Sequence, residues 1–345
     1  MLRAAIACCC ILIVMPLSAA RAAGDSSPWY DRASCKEAMQ IVMALDLDGS
    51  ESAIRTLETD KDLDAKACGV YLRALLSEML IAVHGSTPEQ LRYREEHLKR
   101  MFGFAKAHAK YGVRYADLEV EARMRRVRTL FEQGNKTEAL AEARRANKLL
   151  KARLERGTSP TVDFVQGIMY SALGQSGMLT RTLLGMAGLS GDPAEGYQAL
   201  QRVYGGHSVY RDEALYLARH FAWDMRESGS PFGDPLALGR TLVARHPTNG
   251  QFVYDQGRSL RLEGQCKEAM EIAQPIVRRI EENPGVWAPN LRSKTFFLAG
   301  RCLVELGQLE RAKELREAMA RQPKSDFSEN LAALDDAIRE AGGAR

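Results

Sequence analysis

The sequence predicts an all-α protein built from repeated helical hairpins, and three observations carry that expectation. Ala, Leu, Arg and Glu dominate, prolines number 12 in 345 residues and aromatics make up 7%, a composition that favours helix throughout. No region alternates apolar and polar residues with period two, so no strand is expected. Finally, Gly250 to Met319 contains one pattern twice: a helix with a small residue midway, a glycine-centred turn, and a second helix with Ala near its start. The marks are Gly257, Leu260, Gly264 and Ala269, then Gly300, Leu303, Gly307 and Ala312. In both halves the two glycines lie seven apart and the Ala follows the turn glycine by five.

On those residues the stretch resembles the tetratricopeptide repeat (TPR) family, clearest over 250–322 and partial over 118–175. The resemblance implies an α-solenoid: stacked antiparallel hairpins in a right-handed superhelix that present a concave face to a peptide or protein partner. The spacing of 43 residues between the two marked patterns exceeds the family's usual repeat, and a long second helix through Pro275, expected to kink there, accounts for it.

Taken in order, residues 1–22 read as a secretory signal peptide. Arg3 gives the positive start, Ala4 to Leu17 the apolar run, and Ala20-Arg21-Ala22 the cleavage site. Only seven residues precede Cys8 of the Cys8-Cys9-Cys10 run, too few for a lipoprotein leader, so lipid anchoring is the lesser alternative. Residues 23–345 then form one helical repeat domain of periplasmic or secreted location. Helices are expected over Cys35 to Leu45, Ser50 to Leu57 and Ala65 to Val83. A start signal at Ser86-Thr87-Pro88-Glu89 opens the next, which runs to about Lys110. Tyr115 to Gln133 and Thr137 to Arg156 make a hairpin around Gly134-Asn135. Arg123 and Arg126 sit there where the family prefers bulky apolar residues. The glycine-rich middle, 157–234, suggests closely approaching helices, with Arg226 to Asp234 as a flexible loop. A capping helix over 328–341 closes the chain. Asp46 to Ser50 has part of a calcium loop's spacing but no closing Glu, so it reads as a turn and helix cap.

Beyond the leader there are four cysteines. Export, the spacings of 33 and 36, and the shared Cys-Lys-Glu-Ala-Met string at Cys35 and Cys266 suggest disulfides Cys35–Cys68 and Cys266–Cys302 between neighbouring hairpins. Buried free thiols remain the alternative. No cofactor or metal is expected, because the six histidines form no ligand spacing. No nucleophile elbow, phosphate loop or dinucleotide fingerprint occurs either. From Arg92 to Arg156 there are 18 Lys/Arg against 9 Asp/Glu. Export argues against nucleic acid as the partner, and membrane contact would be peripheral at most.

The family pattern places Tyr254, Arg258, Arg261, Phe297 and Arg301 on the concave side. Arginines beside aromatics can fork onto a carboxylate and stack on planar groups, which points to an acidic or C-terminal carboxylate partner. The family's carboxylate-clamp asparagines are missing, so that particular partner class is not implied. The reading is a non-catalytic exported scaffold suited to envelope assembly or secretion. Two alternatives stand beside it: an enzyme whose His207, Asp212, Glu213 and His220 converge in the glycine-rich middle, or a self-assembling structural solenoid.

Overall fold

Six helices begin where a side chain satisfies free N–H groups of the first turn. Asp46, Asp62, Thr87, Asp192, Asp234 and Asn249 all accept from backbone N–H two or three residues on. A proline follows three of these caps, at Pro88, Pro193 and Pro235, where its missing N–H costs nothing. The computed structural model describes residues 27–85, 87–175, 185, 188–227, 229–282, 289–321 and 328–343. Among them there are fifteen α-helices and no strand. We number them α1 (Ala33–Met43), α2 (Leu47–Thr59), α3 (Leu63–His84), α4 (Pro88–His108), α5 (Val113–Glu132), α6 (Lys136–Leu154), α7 (Pro160–Gln175), α8 (Pro193–Gly205), α9 (Arg211–Asp224), α10 (Pro235–Arg245), α11 (Gly250–Leu262), α12 (Cys266–Glu282), α13 (Pro289–Glu305), α14 (Leu309–Ala320) and α15 (Ser328–Gly343). The leader lies outside the described residues.

Three hairpins share one turn. Gly134, Gly264 and Gly307 all have φ between 71° and 78°, a left-handed conformation that glycine enters at no steric cost. In each, the glycine N–H bonds three residues back and the next N–H bonds five residues back: Asn135 to Leu130, Gln265 to Leu260, Gln308 to Leu303. This is the Schellman closure that satisfies the last carbonyls of the first helix. Ala139, Ala269 and Ala312, each fully buried, then let the second helix close on the first.

Every helix packs on its chain neighbours, and α1·α3, α5·α7, α7·α9, α11·α13 and α13·α15 touch as well. Glycine sets how close they come. A Cβ on Gly257 would meet Leu298 Cδ2 at 2.6 Å, and one on Gly300 would meet Leu334 Cδ2 at 2.6 Å. The midway small residue of each marked repeat thus receives a leucine from the helix two places on. In the glycine-rich middle the approach is tighter: a Cβ on Gly196 would lie 2.5 Å from Tyr170 Cβ and 2.7 Å from the Ser171 backbone nitrogen. Helix α12 runs on through Pro275.

The N-terminal segment does not simply start the series. Trp29 is fully buried, its ring 5.3 Å from Tyr71 and 5.7 Å from Tyr210, and Tyr210 stacks on Phe164 at 4.8 Å. The Val209 N–H bonds to the Tyr30 carbonyl at 2.8 Å. Gln40 of α1 donates to Asp212 of α9, and Asn249, the cap of α11, donates to the Met43 carbonyl at 2.6 Å. Residues 29–43 are therefore wrapped by elements more than 150 positions later in the chain.

Several expectations need correction. Asp46 to Ser50 is not a turn outside a helix; α2 already begins at Leu47 with Asp46 as its cap. Arg226 to Asp234 is not a free loop, since Phe232 is buried against Tyr197 and Phe221. Cys35 and Cys68 form a disulfide between α1 and α3, but Cys266 and Cys302 are both free thiols, their sulfurs 2.7 Å apart. The Cys266 thiol also points to Glu305 at 3.1 Å, and burial, with the adjacent Cys302 and Glu305, pushes its pKa up, disfavouring the thiolate that oxidation requires.

The glycine contacts rank two substitutions. Gly196→Ala drives a methyl into backbone that cannot move and should cost more than about 2 kcal/mol, whereas Gly300→Ala meets only the end of a leucine and should cost under about 1 kcal/mol. Urea unfolding midpoints of the two variants measure the order.

Candidate functional site

Two features stand out once the helices are in place. The first is a face shared by α11 and α13. Tyr254, Arg258 and Arg261 lie at i, i+4 and i+7 on α11, and Lys294, Phe297 and Arg301 at i, i+3 and i+7 on α13, so each trio shares a helix side. Tyr254 is half-buried with Lys294 Nζ 5.7 Å from its ring centroid. Arg258 is exposed, and neither it nor Lys294 has an ion-pair partner among the described residues. Arg301 keeps its buried Nε without a hydrogen bond. Burial lowers the Lys294 pKa; Asp255 pulls against that and the Arg258 charge adds to it. Arg261 differs, being paired with Glu305 at 2.6 Å. Phe297 packs into the apolar cluster around Val253, Ile276 and Phe296. So the structure brings Tyr254, Arg258 and Lys294 together, and uses Arg261 and Phe297 internally.

The second feature is a buried charge network that joins α3, α5 and α9. Arg125 is 6% exposed and reaches Glu78 at 2.8 Å, Glu121 at 2.8 Å and Glu213 at 2.8 Å. Tyr71 donates to Glu213 at 2.9 Å, and Tyr210 donates to Glu121. Desolvation sets the direction of the shifts of Glu121, Tyr71 and Tyr210. Burial raises Glu121 to about 7 against the pull of Arg125, with Glu213 adding to the rise. Tyr71 and Tyr210 are pushed well above their ordinary values, chiefly by burial and then by the carboxylates they face.

The four middle residues of the enzyme alternative do not share one site. Asp212 is held by His246 at 3.0 Å, Arg245 at 2.7 Å and Gln40, while its neighbour Glu213 turns to Arg125. His207 is exposed and shares a cleft with Asp212 but not with Glu213. His220 lies 3.9 Å from Asp255 on α11. Part of the basic stretch pairs within the protein: Arg94 with Glu132, Arg114 with Asp64, Arg126 with Glu138 and Arg153 with Asp117. Arg123, out of pattern for the family, lies 4.7 Å from the Phe102 ring centroid and pairs with Glu119 and Glu142.

Sequence reasoning missed Lys294, Glu78, Glu121 and Arg125. A signal existed for two of them, because Glu121 and Arg125 are spaced i, i+4 on the helix face that carries the apolar Leu118 and Ala122. Nothing local marks Glu78 or Glu213. No protein-family model matches the chain, and no curated protein matches it.

The raised Glu121 gives a pH signature. The folded state holds its proton up to about 7, whereas the unfolded chain releases it near 4.5. Between those values the native state binds more protons, so this group's contribution falls as pH rises, by on the order of 2–3 kcal/mol. Unfolding free energies of wild type and Glu121→Gln, measured from pH 4.5 to 7.5, should converge or cross in that direction; parallel curves refute the assignment.

Proposed function

We propose that the protein is an exported, non-catalytic scaffold: an α-solenoid of stacked antiparallel hairpins, resembling the TPR family, that receives a peptide or protein segment on its inner face. The shared turn of the three hairpins and the contacts between alternate helices support the solenoid reading. The Cys35–Cys68 disulfide supports an oxidising compartment. No helix among the described residues is long and apolar enough to cross a membrane.

The observation that carries the binding role is the contrast between cations. Arg240, Arg245 and Arg261 on neighbouring helices all hold acidic partners within 2.7 Å, while Arg258 and Lys294, flanking Tyr254, hold none. A cation kept beside an aromatic ring without a counter-ion is preorganised for an anion from outside. The partner that fits is an acidic segment or a chain ending in a free carboxylate, which Arg258 can grip by two parallel N–H bonds. No cofactor enters this role. Assembly or secretion in a cell envelope is the process such an exported adaptor suits.

Fluorescence anisotropy with labelled acidic peptides, each made as free acid and as C-terminal amide, tests the reading. The Arg258→Glu/Arg301→Glu double variant should bind the free acid about a hundredfold more weakly, and added salt should weaken wild-type binding. Equal binding of every peptide by both proteins overturns it.

A further inference from the structure

A separate site lies beneath the Arg125 network, away from the unpaired cations of α11 and α13. A cavity of about 80 Å³ opens there between α3, α9 and the start of α11. Met43, Leu75, Leu217 and Phe252 form apolar walls, and Glu78, Glu213, Arg128, Tyr216 and Gln251 line its polar side. Two buried oxygens in this lining, Glu78 Oε1 and Gln251 Oε1, have no hydrogen-bond partner. Their neighbours fix what they are. The other Glu78 oxygen accepts from Arg125 at 2.8 Å, and the Glu78 side chain is only 9% exposed. Gln251 Nε2 donates to the Asp255 carboxylate at 3.0 Å, which leaves the carbonyl oxygen as the free end of that amide.

Two unsatisfied acceptors call for a donor. Leaving them unpaired in an apolar chamber costs free energy, and a charged acceptor costs most. A neutral donor would meet the hydrogen bonds but not the charge. Two carboxylates, Glu78 and Glu213, line the chamber and share the single Arg125 guanidinium. Arg128 is drawn off toward Glu132 at 2.9 Å, against 3.9 Å to Glu78. The Tyr216 ring adds a face suited to a cation.

The chamber also has an approach. An outer cavity of about 710 Å³ shares Leu45 and Val83 with the inner one, and Leu47, Leu80 and Leu291 extend its apolar lining. Leu45 has φ 58°, and it is the one non-glycine residue with positive φ among the described residues. A leucine costs on the order of 1 kcal/mol or more in that region, and such strain gathers at binding sites. Here it holds the leucine side chain where the two chambers meet.

We propose that this two-chambered cavity binds an aliphatic ammonium group, its N–H bonds on Glu78 Oε1 and Gln251 Oε1 and its hydrocarbon arm running past Leu45 and Val83 to the surface. The two unpartnered acceptors, the lining carboxylates of Glu78 and Glu213 and the apolar walls select that chemistry over a carboxylate or a neutral alcohol. The ammonium belongs either to a free small amine or to a lysine side chain of a partner.

Titration of the full chain with n-butylamine hydrochloride, n-butanol and sodium butyrate, followed by calorimetry and by amide NMR shifts, provides the test. Butylammonium should saturate, and butanol, of the same length, should bind about tenfold or more weakly. Gln251→Leu keeps the Glu78–Arg125 pair and should weaken butylammonium about tenfold. Leu217→Trp, which fills the chamber, should abolish binding, with circular dichroism confirming that both variants fold. Arg258→Glu should leave amine binding unchanged, which separates this site from the α11–α13 face. Competition by a blocked lysyl tripeptide assigns the ammonium to a lysine side chain, and butylammonium binding without such competition assigns it to a free amine; both uphold the site. No saturable amine binding, equal binding of amine and alcohol, or full binding in both cavity variants overturns it.

Discussion

Arg125 is the constraint on which the packing of α3, α5 and α9 depends. One guanidinium, removed from water, is shared by carboxylates from three helices: Glu78 on α3, Glu121 on its own helix α5, and Glu213 on α9. Such a cluster contributes little net stability by itself, because desolvating the charges offsets most of their attraction. Its force lies in what happens when a member is lost, since each survivor is then a buried, unpaired charge costing several kcal/mol. The network therefore fixes α3, α5 and α9 in one arrangement more than it strengthens them. Trp29 and the two tyrosines seal one side of it from solvent.

Glycine and charge do complementary work among these helices. Where α7 meets α8, and where α11 meets α13, missing side chains let backbones or leucines approach to contact distance. Elsewhere arginines bridge one helix to acids on another. Arg258 and Lys294 escape that economy of pairing, so they mark the face between α11 and α13 as different from its surroundings. The cavity under Glu78 differs in the opposite sense, having acceptors in surplus.

Much of the helical order could be read from residue patterns, for physical reasons that act locally. The Thr87-Pro88 start, the Gly264 and Gly307 turns and the Ala269 and Ala312 contacts depend on neighbours a few positions away. The shared turn of Gly134 belongs to the same class, even though Arg123 and Arg126 broke the apolar pattern. The site was legible only in part. Arg258 and Tyr254 came from the pattern of the family the stretch resembles, but that pattern cannot tell that Glu305 occupies Arg261 or that Phe297 is drawn into a core cluster. Glu78 and Glu213 meet Arg125 across 47 and 88 positions, and nothing near either residue announces the encounter. The pairing of Cys266 with Cys302 found the right neighbours and the wrong bond state.

The bond from Asn249 to the Met43 carbonyl spans 206 positions. A linear stack can lengthen one unit at a time, each addition stable on what precedes it. This chain cannot mature that way, because its first helix has no complete surroundings until the sequence around α9 and the start of α11 exists. Closing so large a span carries an entropic toll that slows the search. Helix α1, set early in the polypeptide, is thus a keystone seated late in time, when α9 and the cap of α11 reach it.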